Sequence, residues 1–179
     1  MVPINKILPL QNLTYMWILK ETVHIELLEE HEGANIYSIR RDGEELSEFE
    51  KFILKYKDFY KEDLQRILYR IRCIAKDGML ERYYRYEGKR KDRVVALPSH
   101  FESTKLRVYC LCISCNIIIL GEGGIKKTRT YNENPELNKY VKTLQTIDAE
   151  LRLKEKMREV KIEGNYLLGD LTLLIGNDE

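Results

Sequence analysis

The stretch Leu106–Tyr131, LRVYCLCISCNIIILGEGGIKKTRTY, limits what this chain can fold into more than any other part of it. Two apolar runs rich in Val, Ile, Cys and Leu, Leu106–Ile113 and Ile117–Leu120, meet at Ser114-Cys115-Asn116. Short, continuously apolar runs joined by a tight polar connection read as adjacent antiparallel strands, both largely buried. Gly121-Glu122-Gly123-Gly124 follows, then Lys126, Lys127 and Arg129, closed by Tyr131. A hydrophobic hairpin ending in clustered cations supplies a rigid base with a reactive or anion-binding rim.

The flanking sequence surrounds this hairpin with mixed elements. Residues 1–20 are apolar and interrupted by Pro3 and Pro9; they read as an arm, or as a short helix around Tyr15–Leu19. Val23–Leu28 and Ile36–Ile39 read as strands joined by the acidic turn Glu29–Asn35. Ser47-Glu48-Phe49-Glu50 is a capping box opening a helix with Leu46, Phe49, Phe52, Ile53 and Tyr56 at helical spacing. A second helix carries Leu64, Ile67, Leu68, Ile71, Ile74 and Ala75 and stops at Asp77-Gly78. Arg82–Tyr86 reads as a half-exposed strand, and Val94–Leu97 leads into the hairpin. Asn134-Pro135-Glu136 starts a long helix that runs to about Arg158. Val160–Ile162 and Tyr166–Ile175 suggest a final hairpin around Gly164-Asn165.

These elements predict an α+β chain, an antiparallel sheet packed by helices. Residues 46–159 form its core, with an N-terminal extension carrying a β-hairpin over 1–45 and a C-terminal β extension over 160–179. At 179 residues the expectation is one domain. No apolar run approaches the length of a membrane span and the N-terminus lacks a signal-peptide layout, so no membrane association and a cytoplasmic location are expected.

The formal net charge of +1 hides a strong asymmetry. Residues 1–80 carry a net −2, residues 81–131 a net +6, and residues 132–179 a net −3. The basic segment fits a phosphate-bearing partner or, equally, a solvated face balanced by acidic neighbours in the fold. Within it, Glu81–Arg93 interleaves Arg82, Arg85, Lys89, Arg90, Lys91 and Arg93 with Tyr83, Tyr84 and Tyr86. Cations for phosphates beside aromatic faces for bases is the combination that single-stranded nucleic acid favours.

Most other chemistry lacks support. Cys110, Cys112 and Cys115 have zinc-like spacing, but neither a second cysteine pair nor a nearby histidine completes four ligands, and core packing is the better account. The glycines after Leu120 lack the Walker pattern and read as a turn or bulge. No catalytic carboxylate pair or Ser–His–Asp set is evident, and no metal or cofactor is expected. What remains is Lys, Arg and Tyr around one hairpin. That set suits metal-free RNA cleavage, in which a base takes the ribose 2′-hydroxyl proton, cations hold the phosphoryl oxygens and an acid protonates the leaving 5′-oxygen.

The helix pair, the basic strand, LRVY, IIIL and GGIKKTRTY together resemble the RelE/HigB-type toxins of bacterial toxin–antitoxin modules. That family has an arginine at the third strand, matched by Arg107, and a basic segment ending near a tyrosine after the fourth, matched by Lys126, Lys127, Arg129 and Tyr131. Its lysine-rich segment before the third strand is matched by Lys89, Arg90 and Lys91. The resemblance covers roughly residues 45–150. It implies a RelE-like core and an mRNA endoribonuclease working on the ribosome, restrained by a cognate antitoxin protein.

On that resemblance Arg107, Lys127, Arg129 and Tyr131 are the catalytic candidates. Arg107 and Arg129 would hold the scissile phosphate, Lys126 or Lys127 would assist electrostatically, and Tyr131 or Lys89 would be the base. Arg82, Arg85, Lys89, Arg90, Lys91 and Lys126 would bind RNA. Two alternatives stand beside it: a non-catalytic nucleic-acid- or protein-binding module on the same fold, and a ParE-like gyrase inhibitor. A homodimer is compatible with any of them. The chain exceeds a minimal toxin by strands at both ends, and the resemblance does not say what they do.

Overall fold

The computed structural model describes residues 20–87, 91–98 and 104–176; the expected N-terminal arm and its Tyr15–Leu19 helix lie outside them. In chain order the strands are β1 (Lys20–Glu29), β2 (Asn35–Arg41), β3 (Arg85–Tyr86), β4 (Val94–Leu97), β5 (Leu106–Ser114), β6 (Ile117–Ile125), β7 (Val160–Glu163), β8 (Tyr166–Gly169) and β9 (Thr172–Gly176). The helices are α1 (Glu48–Tyr56), α2 (Lys61–Asp77) and α3 (Pro135–Met157). One seven-stranded sheet has the order β3-β4-β5-β6-β2-β1-β9, and β7 pairs with β8 in a separate ribbon. All pairs are antiparallel except β2 with β6. The architecture is α+β, with the expected hairpin β5–β6 at the centre of the sheet.

The continuous apolar runs have a simple cause: helices cover both faces of β5 and β6. Tyr109, Leu111, Ile113, Ile117 and Ile119 face α3, packing with Leu137, Val141, Leu144, Ile147 and Leu151. Val108, Cys110, Ile118 and Leu120 face the other way, onto Phe49, Phe52, Ile67, Ile71 and Ile74 of α1 and α2. A strand with one wet face would alternate apolar with polar; these have no wet face. Cys110 and Cys112 share the α1/α2 side, Cys110 in the core and Cys112 packed against it, and all four cysteines are free thiols.

Local signals place the helices. Ser47 accepts from the Glu50 amide while the Glu50 carboxylate takes the Ser47 amide, so the capping box forms as written. Asn134 caps α3 by accepting from the Glu136 and Leu137 amides, with Pro135 in the first turn. No described helix is long and apolar enough to cross a membrane.

Two elements differ from the sequence-based expectation, and a third takes one of its two readings. The Gly121–Gly124 run is the bulge rather than the turn: β6 continues through it to Ile125, with Val108 facing Gly123 and Cys110 facing Leu120. Glycine is required there because the backbone of β5 approaches closely; a Cβ at Gly123 would lie 2.1 Å from the Arg107 carbonyl oxygen. Arg82–Tyr86 opens as a 3-10 turn over Glu81–Tyr83 and contributes only the two-residue edge strand β3. Tyr166–Ile175 is two strands, because Gly169, at φ 114°, turns the chain. β9 then leaves the β7–β8 hairpin and pairs with β1, so strands from both ends of the chain complete the main sheet.

The bulge also buries charge. Glu48, 3% exposed, takes hydrogen bonds from Arg41 Nε at 2.8 Å and Lys51 Nζ at 2.9 Å. Burial, reinforced by the Glu48 charge, pushes the neighbouring Glu122 carboxyl up to about 7.

Gly123→Ala is expected to destabilise the fold by about 2–3 kcal/mol, because a fixed backbone must move; denaturant unfolding measures it. Glu122 binds its proton more tightly folded than unfolded. Its contribution is therefore complete below its ordinary value of 4.5 and lost as the pH rises through about 7. Glu122→Gln should flatten that decline, leaving the variant about 1 kcal/mol more stable than the wild type at pH 8 after solvent screening.

Candidate active site

At the end of the sheet where β5 begins and β6 finishes, the α3 side changes from apolar to charged. Arg85 on β3 stands opposite Ala96 on β4, which stands opposite Tyr109 on β5. Ala96 and Tyr109 belong to the core beneath α3, so Arg85 faces that side too. Arg107, two residues before Tyr109, shares its face, and Lys126, two residues beyond the Gly124 that pairs with Arg107, does likewise. The Tyr131 ring packs edge-on to Tyr109 with centroids 6.5 Å apart. Ala96, the small residue in this row, separates Arg85 from Tyr109.

The two arginines are held from behind. Asp63 on α2 accepts from the amides of Lys105 at 2.7 Å and Leu106 at 3.2 Å, fixing the entry to β5. Arg107 is 6% exposed; its Nη1 donates to the carbonyls of Thr104 at 3.0 Å and Leu106 at 2.8 Å, and to the Thr104 hydroxyl. Arg85, 8% exposed, is paired by Nη2 to Glu87 Oε1 at 2.7 Å. Each guanidinium keeps a buried Nε with no acceptor among the described residues. A buried donor without a partner costs about 1–3 kcal/mol, and two side by side call for an explanation in function.

The electrostatics follow from three cations enclosing one carboxylate. Burial, followed by repulsion from Arg85, lowers the pKa of Arg107. Burial also lowers that of Lys126, with Arg85 and Arg107 acting in the same direction and Glu87 opposing them. Burial and the Glu87 charge raise both Tyr109 and Tyr131. The group whose proton is loosened is therefore Lys126, while Tyr131 holds its proton more firmly. A cluster of this kind can bind an anion and can exchange a proton through the lysine.

Of the sequence candidates, Arg85, Arg107, Lys126 and Tyr131 come together here. Lys127 and Arg129 lie on the exposed segment between β6 and the turn Tyr131–Glu133, Lys127 within electrostatic reach of Glu136. Arg82 lies on the opposite side of the sheet edge, 3.8 Å from Asp77 and over the Tyr83 ring. Lys91 is exposed, and its carbonyl accepts from Arg152 Nη2 at 3.2 Å. Lys89 and Arg90 lie outside the described residues. Arg93, from the same basic run, is a structural cation, bonded to Asp148 and at 3.1 Å to Glu155 of α3.

Sequence reasoning missed Glu87 and Tyr109. Glu87 is one acid among many cations, and its signal was the i+2 spacing from Arg85 on one strand face. Tyr109 bears the same relation to Arg107 within LRVY. Among the described residues, no group of three or more His, Cys, Asp or Glu side chains is arranged to hold a metal ion. Comparison of the chain with protein-family models, with curated proteins and with solved structures finds no match.

Lys126 is expected to titrate below the ordinary lysine range, and Arg85→Met to move it back upward. Side-chain amine NMR, or the pH dependence of amine acylation, measures both; an unshifted Lys126 would contradict the electrostatics described here.

Proposed function

We propose that the chain is a toxin-like endoribonuclease of the RelE/HigB type, cleaving single-stranded RNA at the cluster of Arg85, Arg107, Lys126 and Tyr131. The observation that carries this reading is the pair of buried arginines, whose Nε groups have no partner among the described residues, beside a lysine whose proton is loosened. Guanidinium forks suit phosphate oxygens. With Lys126 as the neutral amine, Arg85 and Arg107 against Glu87 leave one positive charge facing the monoanionic diester; once Lys126 has taken a proton the excess is two, which complements a dianionic phosphorane.

In the proposed reaction Lys126, as the neutral amine, takes the proton of the ribose 2′-hydroxyl. The 2′-oxygen then forms a bond to the adjacent phosphorus, and the bond from phosphorus to the 5′-oxygen breaks. Tyr131, held protonated, gives its phenolic proton to that leaving oxygen. The products are a 2′,3′-cyclic phosphate and a 5′-hydroxyl end. Arg107 and Arg85 hold the phosphoryl oxygens, and Arg129 and Lys127, on the exposed segment leading to Tyr131, reach the flanking backbone. This reverses the sequence-based role of Tyr131, because burial and Glu87 disfavour its phenolate. An mRNA presented by the ribosome and restraint by a cognate antitoxin are part of the same proposal, resting on the family resemblance.

Induction without an antitoxin should arrest growth and deplete mRNA. Purified protein should cut RNA, free or ribosome-bound, with EDTA present. Lys126→Met and Arg107→Ala should each slow cleavage by about 100-fold or more while circular dichroism shows an intact fold. Absence of both growth arrest and RNA cleavage in the wild type would overturn the proposal. Binding of RNA without cleavage would favour the non-catalytic alternative.

A further inference from the structure

Across the sheet edge from Arg85 lies a second surface with a different composition. Tyr69 and Arg70 on α2 meet Tyr83 and Arg82 from the 3-10 turn in an alternating series of aromatic and guanidinium groups. Arg70 Cζ lies 6.0 Å from the Tyr69 ring centroid and 4.9 Å from that of Tyr83; Arg82 Cζ lies 4.9 Å from the Tyr83 ring. The inner member, Tyr83, is buried, but the ends are open: Tyr69 is 59% exposed and the Arg82 side chain 67% exposed. Tyr86, 60% exposed, adds a further ring beside them, edge-on to Tyr84 at 5.4 Å.

We propose that this series is a base-stacking platform for single-stranded RNA, receiving nucleobases next to the phosphate held at Arg107. Two guanidiniums over one ring bring like charges together. Asp77 accepts the Tyr83 hydroxyl and sits 3.8 Å from Arg82, which ties this end of the series to the end of α2. Exposed planar faces that alternate π surface with cation suit nucleobases, because every base presents a π face and carries a phosphate alongside.

The edge strand explains how one RNA strand reaches both surfaces. β3 is two residues long, with Arg85 facing the α3 side and Tyr86 the α2 side. Arg82 is three residues from Arg85, no more than about 10 Å of extended chain. A strand folded around this edge would place a phosphate on one side and bases on the other. A duplex, with its bases already stacked, has no free faces to offer.

This inference rests on the proposed RNA cleavage for its choice of ligand, and the test separates the two. The probe is a fluorescein-labelled oligoribonucleotide of about ten nucleotides, matched to the site size of single-strand binders. It carries 2′-O-methyl groups, so the attacking hydroxyl is blocked and binding is read by anisotropy with the wild-type chain. Tyr69→Ala and Arg82→Ala should each weaken binding about 10-fold, the cost of one lost stacking partner. Tyr69→Phe should bind as the wild type does, and duplex RNA should compete poorly. Unchanged affinity in Tyr69→Ala and Arg82→Ala, or equal competition by duplex, would overturn the platform even if cleavage is observed. Loss of affinity in those variants without any cleavage by the wild type would support the platform while removing the nuclease reading.

Discussion

Burial of the β5–β6 pair on both faces is the constraint from which the rest of the structure follows. A strand pair with no wet face needs helices on each side, and α1 with α2 supplies one cover while α3 supplies the other. Burying a single Leu or Ile side chain contributes about 1.5–3 kcal/mol, more than any cap or surface pair in the chain. Polar chemistry is thereby pushed to the strand ends. The candidate site lies where β5 begins and β6 finishes, beside the turn that leads into α3. The bulge at Gly123 belongs to the same constraint: the extra residue lets β6 stay paired up to Ile125 and delivers Lys126 to the α3 side.

The basic third of the chain divides into cations that build the fold and cations that gather in the candidate site. Arg93 joins the sheet to α3 through Asp148 and Glu155, taking up acidic charge from the C-terminal third. Arg93 and Asp148 are both largely buried, and each has a second partner, Glu155 for Arg93 and Arg152 for Asp148, so the charges form a small network rather than an isolated pair. Arg85 is partly neutralised by Glu87, whereas among the described residues Arg107 donates to neutral carbonyl and hydroxyl oxygens. Of the two explanations for the charge asymmetry, balance by acidic neighbours in the fold therefore holds for Arg93, and an anion-binding footprint is the one proposed for Arg85 and Arg107. Arg85 and Tyr86, neighbours in the run ERYYRYEGKRKDR, meet opposite fates because strand geometry turns alternate side chains to opposite faces.

Proton placement follows from the same crowding. Lys126 feels two arginines and loses basicity, while Tyr131 feels Glu87 and a dry environment and keeps its proton. Lowered basicity at the amine and a raised pKa at the phenol are the directions that the proposed base and acid roles require. Neither described histidine takes part in this cluster: His24 and His31 sit by Asp42 and Glu29 on the N-terminal hairpin, and His100 lies outside the described residues.

The sequence by itself determined the local elements. The capping box at Ser47, the Asn134-Pro135 helix start, the periodicity of α2 and the two apolar runs at Leu106–Leu120 all formed where short-range physics put them. It also identified Arg85, Arg107, Lys126 and Tyr131 as candidates. Only the tertiary structure decided which cations face one another. Pairing of β3 with β4 and of β4 with β5 brings Arg85 into line with Tyr109, twenty-four residues on, and register at that distance is set by long-range packing that no local pattern records. The same holds for β9, whose pairing with β1 joins the two ends of the chain, and for Glu87 and Arg93. Their chemistry is that of any surface charge until a neighbour from another strand or helix excludes the water around them.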